Sequence, residues 1–442
     1  MASPVFVLAL VAARLLLASH CSDGVGFQLK LRHVDAHGSY TKLQLVSRAI
    51  HRTKARVAAL QAVATAAGTA PVLDPITGAR ILVAASQGEY LMDLAIGTPP
   101  LYYTAMLDTG SDLIWTQCAP CMLCADQPTP YFRPTRSATY RLVPCRSPLC
   151  AALPYPACFQ RVCVYQYYYG DYASTAGVLA GETFTFGAAN STKVMVPNVA
   201  FGCGNINSGE LANSSGMVGL GRGPLSLVSQ LGPSRFSYCL TSFLSPEPSR
   251  LYFGMFATLN STNASSGSPV QSTPLVVNAA LPSLYFMSLK GISLGQKRLP
   301  IDPLVFAIND DGTGGVFIDS GTSLTWLQQD AYDAVRGELV SILPLPATND
   351  TEIGLETCFP WPPPPNVTVT VQDMVLHFDG ANMTVPPENY MLIDGVTGFL
   401  CLAMIRSGDA TIIGNYQQQN MHVLYDIANS LLSFVPAPCN II

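Results

Sequence analysis

Charge is what this chain has least of. Only 12% of its 442 residues are charged, with 23 Lys+Arg against 28 Asp+Glu. There is no basic run to hold a phosphate backbone, so nucleic acid is not an expected partner. Long apolar runs are missing too. After the N-terminus no uninterrupted apolar stretch is long enough to span a bilayer, and Pro436 to Ile442 forms no hydrophobic tail, so a soluble product without a membrane anchor is expected. The histidines are scattered. His33, His37 and His51 lie near the N-terminus and His377 and His422 on expected strands, which makes no metal cluster, and no cofactor is expected.

What is present reads as β structure. The chain is 49% hydrophobic, with 35 Gly, 34 Pro and many Val, Thr, Tyr and Phe runs of strand length. An all-β fold follows, long enough for two structural units plus an extra segment. Residues 1–21 read as a signal peptide: an apolar stretch runs from Val5 to Ala18, broken by Arg14, and small residues at Ser19 and Cys21 suit a cut after Cys21. That cut would leave twelve of the thirteen cysteines.

Residues 22–80 have a different composition. Lys30, Arg32, Lys42, Arg48, Arg52, Lys54 and Arg56 make this stretch basic, and Leu43, Val46, Ile50, Val57 and Leu60 fit one face of a helix from about Thr41 to Gln61. From Ser86 onward, 14 Lys+Arg meet 25 Asp+Glu, a net −11. Attraction between the two favours a propeptide masking an acidic cleft over a plain basic spacer. The stretch from Ala62 to Pro75, rich in small residues, reads as an exposed, cleavable linker.

The chemistry concentrates in a repeated turn. Met106-Leu107-Asp108-Thr109-Gly110-Ser111 puts a carboxylate on a glycine turn after an apolar strand, and Val316-Phe317-Ile318-Asp319-Ser320-Gly321-Thr322 repeats the design 211 positions later. The match extends to Leu113 and Leu324, and to Trp115 and Trp326. In each copy the glycine lets backbone amides approach the carboxylate. The hydroxyls of Ser111 and Thr322 are placed for its outer oxygens, while Thr109 and Ser320 can tie one turn to the other. Two carboxylates packed together share one proton and present an acid beside a base.

These residues resemble the paired turns of pepsin-like aspartic proteases, a family whose dyad is a standard example of such proton sharing. Met217-Val218-Gly219 and Ile412-Ile413-Gly414 match the strands that thread behind those turns, and Tyr165 to Asp171 resembles the substrate-covering flap, with Tyr169 as its tyrosine. Tyr172 stands where many relatives carry a second flap glycine. The run from Asp108 to Cys118 and the stretch Asn415 to Met421 look most like the nepenthesin-type plant enzymes. The resemblance covers roughly residues 86 to 442 and implies a bilobal fold with pseudo-twofold related lobes, at about 86–265 and 266–442, preceded by a propeptide at 22–80.

It also implies an aspartic endopeptidase, acting on polypeptide substrates as a secreted or vacuolar monomer. Asp108 and Asp319 would be catalytic. Gly110, Ser111, Gly321, Thr322 and Tyr169 would face substrate, Thr109 and Ser320 would support the turns, and the Trp115 indole would hydrogen-bond toward the flap tyrosine. An inactive protein-binding relative, of the kind that inhibits xylanases, is the alternative; the intact Asp turns argue against it.

Cys118-X-X-Cys121-X-X-Cys124, followed by Cys145, Cys150, Cys158 and Cys163, reads as disulfide rather than zinc chemistry in a secreted chain. Spacing leaves the connectivity open. The resemblance implies Cys118–Cys121, Cys124–Cys203, Cys145–Cys163, Cys150–Cys158, Cys239–Cys439 and Cys358–Cys401. Sequons at Asn190, Asn213, Asn260, Asn263, Asn349, Asn366 and Asn382 suit a glycoprotein. Gly219-Leu220-Gly221-Arg222-Gly223 invites a phosphate-loop reading, but lacks the Gly-Lys-Ser/Thr ending.

Overall fold

The computed structural model describes residues 26–36, 38–66, 89–169, 174–187, 193–209, 211, 213–232, 235–259, 268–350, 354–396 and 398–441. The signal segment, most of the linker and the flap tip around Tyr172 lie outside these residues.

The two copies of the turn sit in two copies of one strand arrangement, and this makes the protein all-β and bilobal. In the first, β2 (Tyr90–Ile96) turns at Gly97-Thr98-Pro99 into β3 (Leu101–Asp108), paired antiparallel. Strand Gly216–Gly219 runs parallel to β3, with Gly219 opposite Asp108, and is flanked by β4 (Trp115–Gln117), where Trp115 meets Met217 on one side and Gly202 on the other. In the second, Tyr285–Met287 pairs antiparallel with Val316–Ile318, which runs parallel to Thr411–Ile413. Trp326 there meets Ile412 and Ile405. Ala105–Leu107 and Val316–Ile318 are buried, as a strand delivering a side chain from the core must be.

Both lobes stand on one six-stranded antiparallel platform. Its order is β1 (Phe27–His33), Ser249–Phe253, Arg235–Cys239, Met421–Asp426, Leu431–Pro436 and Gln271–Val276. The outermost strand comes from the basic segment, where the sequence suggested only a helix. Phe27, Leu29 and Leu31 point into the core while Gln28 and Lys30 are exposed, a period-2 pattern. β1 also pairs with β2 through Leu31 to His33.

The expected helix forms as α1 (Lys42–Ala66). Thr41 and Gln44 cap it reciprocally, each side chain accepting the other's backbone N–H (3.2 and 2.9 Å). Val46 and Ile50 pack on Leu324, Ala403, Ile405 and Tyr416 of the second lobe.

All twelve cysteines after Cys21 are paired, but four of the six implied bridges change partner. Cys239–Cys439 and Cys358–Cys401 form as implied; the others are Cys118–Cys203, Cys121–Cys124, Cys145–Cys158 and Cys150–Cys163. Register explains the corrections. β4 lies beside the strand carrying Cys203, with Thr116 opposite it, so the buried Cys118 reaches Cys203 and leaves Cys121 and Cys124 to close a local loop. Cys158 and Cys163 face each other across a hairpin; the buried Cys163 joins the buried Cys150, and the exposed Cys158 joins Cys145. Of the sequons, Asn213, Asn366 and Asn382 are exposed; Asn190, Asn260 and Asn263 lie outside the described residues.

Candidate active site

Asp108 and Asp319 emerge at the ends of buried strands and are themselves 1% and 0% exposed. The glycine after next supplies the first hydrogen bond in each case: Gly110 N donates to Asp108 Oδ1 and Gly321 N to Asp319 Oδ1, both at 3.0 Å. The strands behind hold the turns in place. Leu220 N donates to the Asp108 carbonyl (2.7 Å), and Asp319 N donates to the Ile413 carbonyl (3.1 Å).

The turns are joined through Thr109. Its hydroxyl accepts from Ser320 N (2.8 Å) and lies 3.1 Å from Asp319 Oδ1 and 3.2 Å from Ser320 Oγ. Thr322 behaves as expected, its hydroxyl donating to Asp319 Oδ2 at 2.7 Å. Ser111 does not. Its hydroxyl is directed to Met217 Sδ (3.6 Å), and Asp108 Oδ2 is buried without a hydrogen-bond partner among the described residues. A side chain that the sequence did not single out also reaches this carboxylate.

That side chain is Arg56 of α1. Its Nη2 is 2.5 Å from Asp108 Oδ1 and 3.2 Å from Asp319 Oδ1, and its Nε is 2.8 Å from Asp319 Oδ2. The Asp108 carboxylate meets the guanidinium through Oδ1, the same oxygen that accepts from Gly110 N. Burial alone would lower the pKa of Arg56, but the charges of Asp108 and Asp319 outweigh it and keep the guanidinium charged. The two glycines make the fit possible: a Cβ on Gly110 would lie 2.3 Å from Arg56 Nη2, and one on Gly321 2.6 Å from Arg56 Cζ. A helical spacing of four, Arg52 to Arg56, was the available signal.

Arg52 and His33 add a second cluster. Arg52 holds Glu89 (2.6 Å) and Asp35 (2.9 Å), and His33 Nε2 lies 2.9 Å from Glu89. Burial opposes ionisation of Glu89, but Arg52, with His33, outweighs it and holds this carboxyl well below the usual range. Ser323 completes the contact, its N–H donating to Thr53 Oγ1 (3.1 Å) and its hydroxyl to Glu89.

Tyr169 is buried beside Trp115, ring centroids 6.3 Å apart. Burial pushes the Tyr169 phenol well up, and a hydrogen bond from the Trp115 side chain, as the resemblance implies, partly opposes this. The residues Asn415 to Asn420 brace the second turn from behind. Asn415 Nδ2 donates to the Ser320 carbonyl (2.9 Å) and Gln418 Nε2 to that of Ile413 (2.9 Å).

Families described as Xylanase inhibitor N-terminal and Xylanase inhibitor C-terminal match residues 90–255 and 284–436. Among solved structures, that of edgp matches with TM-score 0.64 at 18% identity, covering 93% of this chain and 95% of that one, a likeness of fold alone. With the duplicated Asp turns, this fold defines a protein of the pepsin-like class. The chain is 45% identical to aspartic proteinase nepenthesin-1 of Nepenthes gracilis, covering 95% of this chain and 92% of that one. Nepenthesin-2 of the same plant is 42% identical, with 99% of each chain covered. The chain belongs to the pepsin-like aspartic proteases, and within them to the nepenthesin-type plant group.

Proposed function

We propose that this chain is the precursor of a secreted aspartic endopeptidase, with Asp108 and Asp319 as the dyad and the segment around Arg56 as its plug. The observation that carries the reading is the position of Arg56 Nη2, one nitrogen within hydrogen-bond reach of both carboxylates. A water in its place would be held by the same two groups.

The chemistry follows from a dyad that carries one proton. The ionised carboxylate takes a proton from the water as its oxygen attacks the peptide carbonyl, while the protonated carboxyl gives its proton to the carbonyl oxygen. The product is a neutral diol. On collapse, a diol hydroxyl returns its proton to the dyad, the C–N bond breaks, and the leaving nitrogen takes up the other proton. The proton belongs to the pair, so neither Asp has a fixed role. Tyr169 and its hairpin would close over an extended peptide bound along the cleft.

In the precursor the plug is electrostatic. The charged Arg56 needs ionised carboxylates, so acid loosens it as they protonate. Glu89 responds differently, because its carboxyl is held so low that the tie to Arg52 outlasts mild acid. Full release then calls for strong acid or for a cut in residues 67–88. An inactive inhibitor of this fold would have no use for two intact turns plugged by an arginine.

The test is to hold purified precursor at pH 7 and pH 3, following its N-terminus and its cleavage of a denatured protein with and without pepstatin. Activity should appear only after acid, together with loss of residues 22 to about 70, and pepstatin should block it. Arg56→Gln should bring activity at higher pH without the acid step. Full activity at pH 7 with the segment still attached would overturn the plug.

A further inference from the structure

The glycine run Gly219-Leu220-Gly221-Arg222-Gly223 holds an anion, but an internal one. Gly223 N donates to Asp112 Oδ1 at 2.9 Å. A Cβ on Gly223 would lie 2.1 Å from Asp112 Oδ2, and one on Gly221 2.3 Å from Asp112 Oδ1. None of the three glycines has a positive φ, so what they supply is space for the carboxylate rather than an unusual turn.

Asp112 lies four residues beyond Asp108, and its second oxygen reaches the other half of the molecule. Ser283 Oγ donates to Asp112 Oδ2 at 2.5 Å, and the Ser283 carbonyl accepts from Arg222 N at 3.0 Å. Ser283 leads into Tyr285–Met287, the strand that pairs with Val316–Ile318 and so delivers Asp319. The Asp112 N–H also donates to Tyr167 Oη, on the flap hairpin, at 3.4 Å.

We propose that Asp112 is a positioning residue for the dyad: its half-buried carboxylate fills the glycine cradle and, through Ser283, fixes the strand carrying Asp319 against the turn carrying Asp108. The second copy of the turn supports this by contrast. Ser323 stands at the matching position, with no carboxylate to house. There only Gly414 follows the apolar pair, and the next residues, Asn415, Tyr416 and Gln417, are large. Gly414, like Gly219, lies against backbone, its Cβ falling 2.5 Å from the Ser323 carbonyl. Gly221 and Gly223 have no counterpart because they serve Asp112.

The carboxylate also sets the field at the dyad. Burial pushes the Asp112 carboxyl above its ordinary range; the hydrogen bonds from Ser283 and Gly223 oppose this, and the charge of Asp108 adds to it. The other titratable groups around it are Tyr167 on the hairpin and Tyr285 on the paired strand; Arg222, on the glycine loop, donates to the Val276 carbonyl (2.8 Å). By reciprocity, an ionised Asp112 makes the dyad's last proton harder to lose, which extends activity toward higher pH.

The catalytic half of this inference rests on the peptidase reading, so the test has one arm that does not. In melting experiments on the full chain, Gly223→Ala should lower the Tm by roughly 5 °C or more in the native background, and by much less beside Asp112→Ala, where the carboxylate is gone. In the activated enzyme, Asp112→Asn keeps the volume and removes the charge. The alkaline limb of its pH–activity profile should move down by about half a pH unit, with KM little changed. Additive melting shifts, or an alkaline limb that Asp112→Asn leaves in place, would overturn the proposal. A native chain without peptidase activity would sink the peptidase reading instead, while the melting cycle still decides whether the cradle exists.

Discussion

The two Asp turns are copies in sequence and differ in what surrounds them. Asp319 is saturated: Gly321, Thr109 and Thr322 all bond its oxygens before Arg56 is counted. Among the described residues Asp108 receives only the Gly110 amide and Arg56, and its Oδ2 has no partner there. The hydrogen bonds hold the Asp319 carboxylate in one orientation, while Asp108 keeps an oxygen open toward a water. Duplication set the positions, and the neighbours then made them unequal.

Removing the chemistry from both sides should erase the difference. Asp108→Asn and Asp319→Asn should each lower peptidase activity by about 10³-fold or more, with near-native melting, because an amide cannot exchange the shared proton. Proteolysis assays beside thermal melts check this; normal turnover in either variant would remove that Asp from the mechanism.

A smaller effect sharpens the contrast. Thr322→Val deletes a hydrogen bond to a charged oxygen, and about a tenfold loss of kcat/KM is expected. Ser111→Ala deletes only a contact to sulfur and should cost about threefold or less. Equal losses would mean that Ser111 turns to Asp108 once Arg56 has left, which would restore the symmetry suggested by the sequence.

The smallest effect lies in the platform beneath the turns. His422, beside Ser237 (3.0 Å), is pushed down by burial to about 4. It stays neutral in the fold while the unfolded chain takes up a proton near pH 6.5. Stability from this group is therefore full above pH 6.5 and is lost as pH falls toward 4, by at most roughly 3 kcal/mol. His422→Gln should flatten Tm against pH over that window. An unchanged slope would place the acid sensitivity elsewhere.

The turns were legible because a repeat is its own control: Leu and Trp at matched offsets are hard to explain by turn propensity alone. The helix was legible from Val46 and Ile50. Strand β1 was not, although Phe27, Leu29 and Leu31 alternate cleanly, because the cations among them drew attention to charge and its partner, Ser249–Phe253, is far along the chain. Arg56 stayed hidden for a related reason. Net charge predicts attraction between segments, but only the helix docked at Val46 and Ile50 says which cation lands on Asp108 and Asp319. The bridges among Cys118 to Cys203 depended on strand register, which spacing does not contain. Ser111 faces Met217 Sδ instead of the carboxylate, a side-chain direction that spacing does not contain.

The bridge from Cys239 to Cys439 spans 200 positions and fastens the end of platform strand Arg235–Cys239 to the turn that follows Leu431–Pro436. A backbone nick anywhere between those cysteines yields two fragments that still share a covalent link, while the hydrogen bonds of the platform hold them in register. Cys118–Cys203 does the same for the first lobe over 85 positions. For a peptidase surrounded by copies of itself, self-inflicted cuts in these spans become scars rather than dissociation, and wear shows first as molecules that run intact on a non-reducing gel and as fragments on a reducing one.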